Sequence, residues 1–246
     1  MKKQILFIAV TISSMLFFSC KKDQTEIPDT KQVAEQNPSI TTSSVRILPL
    51  TYKLDGNFTF DQTFKDQTGQ LADGIPTSRF YSFTTDRKGN LKHAIYLDST
   101  YGVKIKSVPE QTYTSMSVWI KPAHTWHWGL SYIAAPSGYG PVMNNISDLL
   151  TCGVVTSTTI PGVETAYLSN TSWHHLVGTY DGVTVRSYMD GVLRGTNNTP
   201  DFIPTSLSDY FIGCNPGYAP WKGAIDDLRF YSRTLSATDV QLLYNQ

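Results

Sequence analysis

The feature that most narrows what this chain can fold into is a pair of Asp-Gly turns set between runs of β-forming residues. Asp181-Gly182 and Asp190-Gly191 bracket a stretch in which Thr184, Arg186 and Tyr188 alternate with Val185, Ser187 and Met189. Glycine supplies the positive φ of a tight hairpin turn, and two-fold alternation marks a strand with two unlike faces. Short runs of the same kind recur between turn signals from about Arg46 onward. They predict strands at Ala94–Leu97, Ser115–Ile120, Ser131–Ala134, Leu149–Val155, Trp173–Tyr180, Thr184–Met189, Tyr210–Gly213 and Ala224–Tyr231. No mature stretch keeps apolar residues at helical spacing for three turns, and 17 Gly with 13 Pro shorten the strands and multiply the turns. One helix is expected at the C-terminus, where Ser236 caps a turn and Val240, Leu242 and Leu243 pack down.

The N-terminus reads as an address. Lys2 and Lys3 precede an apolar run, Ile5 to Phe18, too short and too abruptly ended to span a bilayer. The run closes Leu16-Phe17-Phe18-Ser19-Cys20, which resembles the lipobox of bacterial lipoproteins. That resemblance implies a signal peptide over residues 1–19 and lipid on the Cys20 thiol and amine, enough acyl chains for stable anchoring. Lys21 follows, where an inner-membrane retention signal would put Asp, so the expected address is the outer membrane. Residues 20–45 form the lipidated Cys and a polar tether with Pro28 and Pro38, too poor in apolar side chains to fold. Residues 46–246 form the domain.

Four segments of that domain, in order, resemble the laminin-G-like group of concanavalin A-like jelly rolls. They are YKLDGN with TTDRKGNLKHAIYLDS, then MSVWIKP, then NTSWHHLVGTYDGVTVRSYMDGVLRGT, then FIGCNPGYAPWKGAIDDLRFYSRTLSATDVQLLY. The resemblance spans roughly residues 48–246 and implies an all-β sandwich of two antiparallel sheets of six or seven strands. It implies no single function, because lectins, adhesins, glycosidases and spacers share the fold.

Catalysis is not expected. Glycoside hydrolysis needs two carboxylates a few ångströms apart, which laminarinase-type relatives set on one strand as E-x-D-x-E. Glu26, Glu35, Glu110 and Glu164 are the chain's four glutamates, and neither Glu110 nor Glu164 has an acidic residue at i+2. Strict alternation would point Asp226 and Asp227 to opposite faces. His174 and His175 read as core and surface residues, not metal ligands. A structural Ca2+ is implied by the resemblance, with Asp226 on the last strand and Asp55 and Asn57 on the first as its ligands. The alternative leaves Asp226 and Asp227 as a salt-bridge partner and a surface charge. Cys152 and Cys214 are either one disulfide or two buried thiols.

Binding is the better-supported class. Sugars stack C–H faces on aromatic rings, and HTWHWGLSY followed by Tyr139 is the densest exposed-looking aromatic cluster. Trp126, Trp128, Tyr139 and Tyr218 are the ligand candidates, while Trp119, Trp173 and Trp221 read as packing residues. The expected role is a lipid-anchored, non-catalytic module that holds a glycan or polysaccharide. The rival is a structural or protein-interaction subunit of an outer-membrane assembly. A formal charge of +0, with no basic cluster beyond the N-terminus, excludes nucleic acid as a partner.

Overall fold

The computed structural model describes residues 48–124, 130–214 and 219–246. Cys20 and the ligand candidates Trp126, Trp128 and Tyr218 lie outside the described residues. The elements in chain order are β1 (Leu54–Phe58), β2 (Ile75–Pro76), β3 (Ser82–Thr84), β4 (Ala94–Asp98), β5 (Val103–Glu110), β6 (Tyr113–Pro122), β7 (Leu130–Pro136) and β8 (Gly140–Ile146). They continue with β9 (Leu149–Val155), β10 (Gly162–Tyr167), β11 (His174–Asp181), β12 (Thr184–Met189), β13 (Val192–Asn198), β14 (Ser206–Ile212), β15 (Ala219–Pro220), β16 (Lys222–Tyr231) and α1 (Ala237–Tyr244).

Two eight-stranded sheets face each other, as the all-β reading expects, though each has one or two strands more than expected. The first runs β13-β12-β11-β6-β16-β4-β3, with β1 added to β16; the second runs β10-β9-β8-β7-β14-β5-β2, with β15 added to β7. Pairing is antiparallel throughout except for β15, which runs parallel to β7.

Alternation sorts each strand's residues between core and exterior. On β6, Met116, Val118 and Ile120 face the second sheet and are fully buried, so Ser115, Ser117 and Trp119 face out. Ile225, Leu228 and Phe230 of β16 and Ile105, Tyr210 and Ile212 of the second sheet complete the layer between the sheets. Each such side chain contributes roughly 1.5–3 kcal/mol on leaving water. Cys152 joins this core as a free thiol, and Cys214 is also free, so the disulfide alternative does not hold in this structure. Trp221 is wholly buried and Trp119 nearly so, in keeping with the packing role expected of both.

The two Asp-Gly turns are where the sequence places them. Asp190 (φ 52°) and Gly191 (φ 77°) make the two-residue turn between β12 and β13. Such a turn needs positive φ at both positions and matches the twist of the strands it joins. α1 packs on the outer side of the first sheet, where Val240 and Leu243 meet Val177, Tyr188 and Tyr231.

Candidate functional site

The outer face of the first sheet is built around Trp119. Its ring stacks on His175 (centroids 5.0 Å apart) and on Tyr244 of α1 (5.7 Å), and the Arg87 guanidinium lies over it at 4.6 Å. His175 Nε2 lies 2.8 Å from Ser117 Oγ. Burial first, then the nearby Arg229 and Arg87 charges, lower the His175 pKa to about 3, so this ring is neutral. His174 turns instead to the β12–β13 turn, 2.9 Å from Asp190 Oδ2. Among the described residues neither histidine falls in a group of three or more His, Cys, Asp or Glu placed to hold a metal.

Arg87 is the hub of the charged groups here. Its Nη1 lies 3.0 Å from Asp226 Oδ2 and 2.6 Å from Asp227 Oδ2, with all three side chains largely buried. Both carboxylates therefore reach one cation, contrary to the opposite-face expectation. The reason is a break in the β16–β6 register between Asp226 and Arg229, with Asp227 in a left-handed conformation (φ 45°). A bulge inserts one residue and re-aims the side chains beside it. Burial, then the Asp227 charge, push the Asp226 carboxyl up to about 7 against the pull of Arg87. A polar cavity of about 380 Å³ opens beside the group, lined by Asp61, Asp86, Asn90, His93, Arg229 and Gln246 among others.

The expected calcium ligands do not come together. Asp55 Oδ1 accepts from Ser232 Oγ at 2.8 Å, and Asn57 Oδ1 accepts from Arg229 Nε at 3.2 Å. Ser232 and Asp226 are six positions apart along one strand and its exit, roughly 15–20 Å at about 3.3 Å per residue. Side chains so spaced cannot share an ion whose bonds are about 2.3–2.6 Å. Among the described residues no group of three or more His, Cys, Asp or Glu is placed to hold a metal. Asp226 is instead a salt-bridge partner, the alternative the sequence left open, and Asp227 is one too. The residues do not fit a bound Ca2+.

Tyr139 packs against the cluster of Val154, Val163, Tyr180, Val185 and Ile203, and its backbone N–H donates to Glu110 Oε1 at 2.9 Å. Glu110 also accepts from Ser206 Oγ, so this glutamate clasps a loop to β14. Burial raises the Glu110 pKa, opposed by those two hydrogen bonds.

The outer face of the second sheet carries a different pattern. Tyr132 of β7 stands opposite Asn144 of β8, Asn144 opposite Thr151 of β9, and Thr151 opposite Glu164 of β10. Their neighbours Met143, Leu150 and Cys152 are fully buried in the core, so this row faces out. It is a straight line of ring, amide, hydroxyl and carboxylate across four strands. Beside it runs a second row, Leu130, Ile146, Leu149 and Tyr167, in the same register. Ile146 is 46% and Tyr167 70% exposed. On the other side Gly153 pairs with Gly162 and leaves the surface flat. Asn144 Oδ1 and Thr151 Oγ1 are both out of water and have no hydrogen-bond partner among the described residues. Native structures seldom leave such atoms unanswered. An apolar ridge beside a line of convergent polar groups is the chemistry that receives a saccharide. No local motif announces this row, because its members are brought into line only by strand register.

Comparison with known proteins agrees with the architecture. Domain 4 of the GH43 extracellular arabinanase AbnA from Geobacillus stearothermophilus, solved in complex with arabinotriose, superposes with a TM-score of 0.65 at 20% identity. That match covers 78% of this chain and 98% of the arabinanase domain. The binding domain of Paraclostridial Mosquitocidal Protein 1 gives 0.65 at 15% identity, covering 78% of this chain and 52% of that one. The binding domain of botulinum neurotoxin DC, in complex with SialylT, gives 0.62 at 14% identity, covering 80% and 52%. This chain thus spans about half the length of the toxin domains, and at these identities the likeness is one of fold. No curated protein matches in sequence. The family model described as the concanavalin A-like lectin/glucanases superfamily (Laminin_G_3) matches residues 98–241. With two antiparallel sheets, a C-terminal helix and a family match over more than half its length, the chain belongs to the concanavalin A-like lectin/glucanase superfamily.

Proposed function

We propose that this chain is a lipid-anchored, non-catalytic glycan-binding module of the outer membrane, and that the glycan lies across the outer face of the second sheet. The observation that carries the reading is the aligned row Tyr132–Asn144–Thr151–Glu164, with two polar atoms that find no partner among the described residues. The apolar row beside it takes the C–H faces of the sugars, and the carboxylate, with the amide and hydroxyl once side-chain rotation uncovers Asn144 Oδ1 and Thr151 Oγ1, takes their hydroxyls. Relatives of the same fold supply support, since the arabinanase domain was solved with arabinotriose and the toxin domains are binding domains. A non-catalytic role is supported by the carboxylates: Glu164 is the row's one acid, and Glu110 is spent on Tyr139 and Ser206. Trp126, Trp128 and Tyr218 remain ligand candidates, joined by sequence to the β7 and β15 strands that pair side by side. The lipobox ending at Cys20 supports anchoring.

The test is titration calorimetry against neutral oligosaccharides, arabinotriose first, with wild type and an Asn144→Ala/Thr151→Val variant. Binding should weaken at least about tenfold, the loss of about 1.4 kcal/mol that a missing hydrogen bond to a hydroxyl produces. The melting temperature should change little, because Asn144 Oδ1 and Thr151 Oγ1 make no hydrogen bond among the described residues. Equal affinity in the two proteins would remove the row from the site, and no glycan binding by either would favour a protein-interaction subunit. Anchoring is tested separately: Cys20→Ala should move the protein from the membrane fraction to the soluble periplasm.

A further inference from the structure

The first sheet carries its own aligned row, shorter than that of the second sheet and cationic. Lys121 of β6 stands opposite Ala224 of β16, and Ala224 opposite Tyr96 of β4. Ile120 and Ile225, next to Lys121 and Ala224, are fully buried between the sheets, so Lys121 and Ala224 face outward. Strands lie about 4.8 Å apart, so the backbones under Lys121 and Tyr96 are roughly 10 Å apart with only the methyl of Ala224 between them. A small residue between two long ones makes a trough. Thr84 and Thr85 line it from the β3 side and Thr171 from the loop before β11, around a cavity of about 380 Å³.

The charges around this trough are uneven. Lys121 is the one charged side chain in its lining, and no carboxylate pairs with it among the described residues. The acidic cavity next door begins one residue further along the chain at Asp86 and two further along β16 at Asp226. Its carboxylates Asp226 and Asp227 are already answered by Arg87. The lysine is thus left as a point charge at the end of a neutral, hydroxyl-lined trough with an aromatic wall.

We infer that this trough is a second saccharide site, on the sheet opposite the glycan row, and that it takes a sugar acid, with the carboxylate on Lys121, the ring against Tyr96 and hydroxyls on the threonines. The cavity is at the small end of the range for ligand sites, enough for one or two sugar units. A lysine recognises a carboxylate as a point charge, so the contact tolerates different ring geometries and weakens with salt. The inference stands on the first sheet alone and does not require the row on the second.

Trigalacturonic acid, its methyl ester and arabinotriose are the probes, titrated into the whole mature chain. Wild type should bind the acid, bind the ester at least about tenfold more weakly, and lose affinity for the acid as NaCl rises. Lys121→Met should lose at least about tenfold for the acid and keep its affinity for arabinotriose, while Lys121→Arg should stay within a few-fold of wild type. Asn144→Ala/Thr151→Val should leave the acid unaffected. No binding of trigalacturonate by wild type, or equal binding by Lys121→Met, overturns the inference. Loss of trigalacturonate binding in the Asn144/Thr151 variant would place the acid on the second sheet and overturn it too. Trigalacturonate binding that depends on Lys121, alongside no arabinotriose binding at all, would uphold this site and sink the other.

Discussion

His175 and Asp226 share one face of the first sheet and titrate in opposite senses. The His175 pKa falls to about 3 in the folded state, below the ordinary 6.5, so the unfolded chain binds the extra proton between those values. Its contribution to stability therefore rises with pH across that window. The Asp226 pKa rises from 3.8 to about 7, so there the folded chain holds the extra proton. Its contribution is fully present below about pH 4 and is lost as pH climbs through 7. Where the windows overlap, between about pH 4 and 6.5, the two slopes cancel in the native protein. Each is up to about 1.4 kcal/mol per pH unit. Asp226→Asn should unmask the histidine, and urea midpoints should climb from pH 4 to 6.5. His175→Phe should do the reverse, with midpoints falling over the same range. Parallel profiles for wild type and both variants would refute the pairing of these two groups. Neither effect was legible in the sequence. Asp226 was read as a metal ligand or a salt-bridge partner, and only the fold brings Arg87, 139 positions away, into contact with it. The same holds for the glycan row. Aromatic clusters stand out in a sequence, whereas Tyr132, Asn144, Thr151 and Glu164 are separate residues until strand register aligns them.

α1 is the element on which much of the first sheet's outer face depends. Ser236 Oγ accepts from the Asp239 N–H at 3.1 Å, and Ser236 N–H donates to Asp239 Oδ2 at 2.8 Å, a reciprocal capping box. Arg233 grips the same carboxylate through two nitrogens, at 2.8 and 3.2 Å. Ser236→Ala removes the cap and the hydroxyl's own bond to Asp239 Oδ2 (2.8 Å) but spares the ion pair, and should cost about 1 kcal/mol, a fall in melting temperature of roughly 2–4 °C for a domain this size. Asp239→Ala also leaves a buried guanidinium unpaired, and should cost about 3 kcal/mol. Thermal melts of the two variants check the ranking; equal losses would show that the ion pair contributes little. This helix was legible because its cap and apolar residues are local. Leu149–Val155 and Thr184–Met189 were legible to the residue, for alternation and turn signals are local as well. Besides the two- and three-residue strands β2, β3 and β15, the longer β5, β8, β10 and β13 were missed. β5 contains Pro109 and a left-handed Ser107 (φ 56°), β8 opens Gly-Pro, β10 has a register shift after Glu164, and β13 is an exposed polar strand. In each the two-fold pattern is broken or never forms, and pairing with a neighbour supplies the order instead.

At the scale of the whole molecule, the two aligned rows lie on the outer faces of sheets stacked about 10 Å apart. Were both proposed sites to bind, one such module would hold two chains at once and cross-link a polysaccharide without dimerising. A further consequence lies in how the ends of the domain are tied together. β1 pairs with β16 alone, over four residue pairs, and Leu54 at its start stands opposite Tyr231 at the end of β16. The start of β1 and the end of β16 therefore lie at the same end of one antiparallel pair, with α1 following on the C-terminal side. Tension applied between them opens that pair one rung at a time, as a zipper opens, and never loads all four rungs together. Optical-trap pulling between handles at Leu48 and Thr234, which leaves α1 unloaded, should show an early, low-force step in which β1 and the segment up to β2 come free before the rest. That first step lengthens the chain by roughly 80–100 Å, the extended span of about 27 residues. A single all-or-none rupture would mean that another contact, such as the four backbone amides of Asn57, Thr68, Gln70 and Leu71 donating to Asp66, locks the strand in place. A domain with this geometry should yield first at β1 while the outer rows of both sheets, which do not include β1, stay whole.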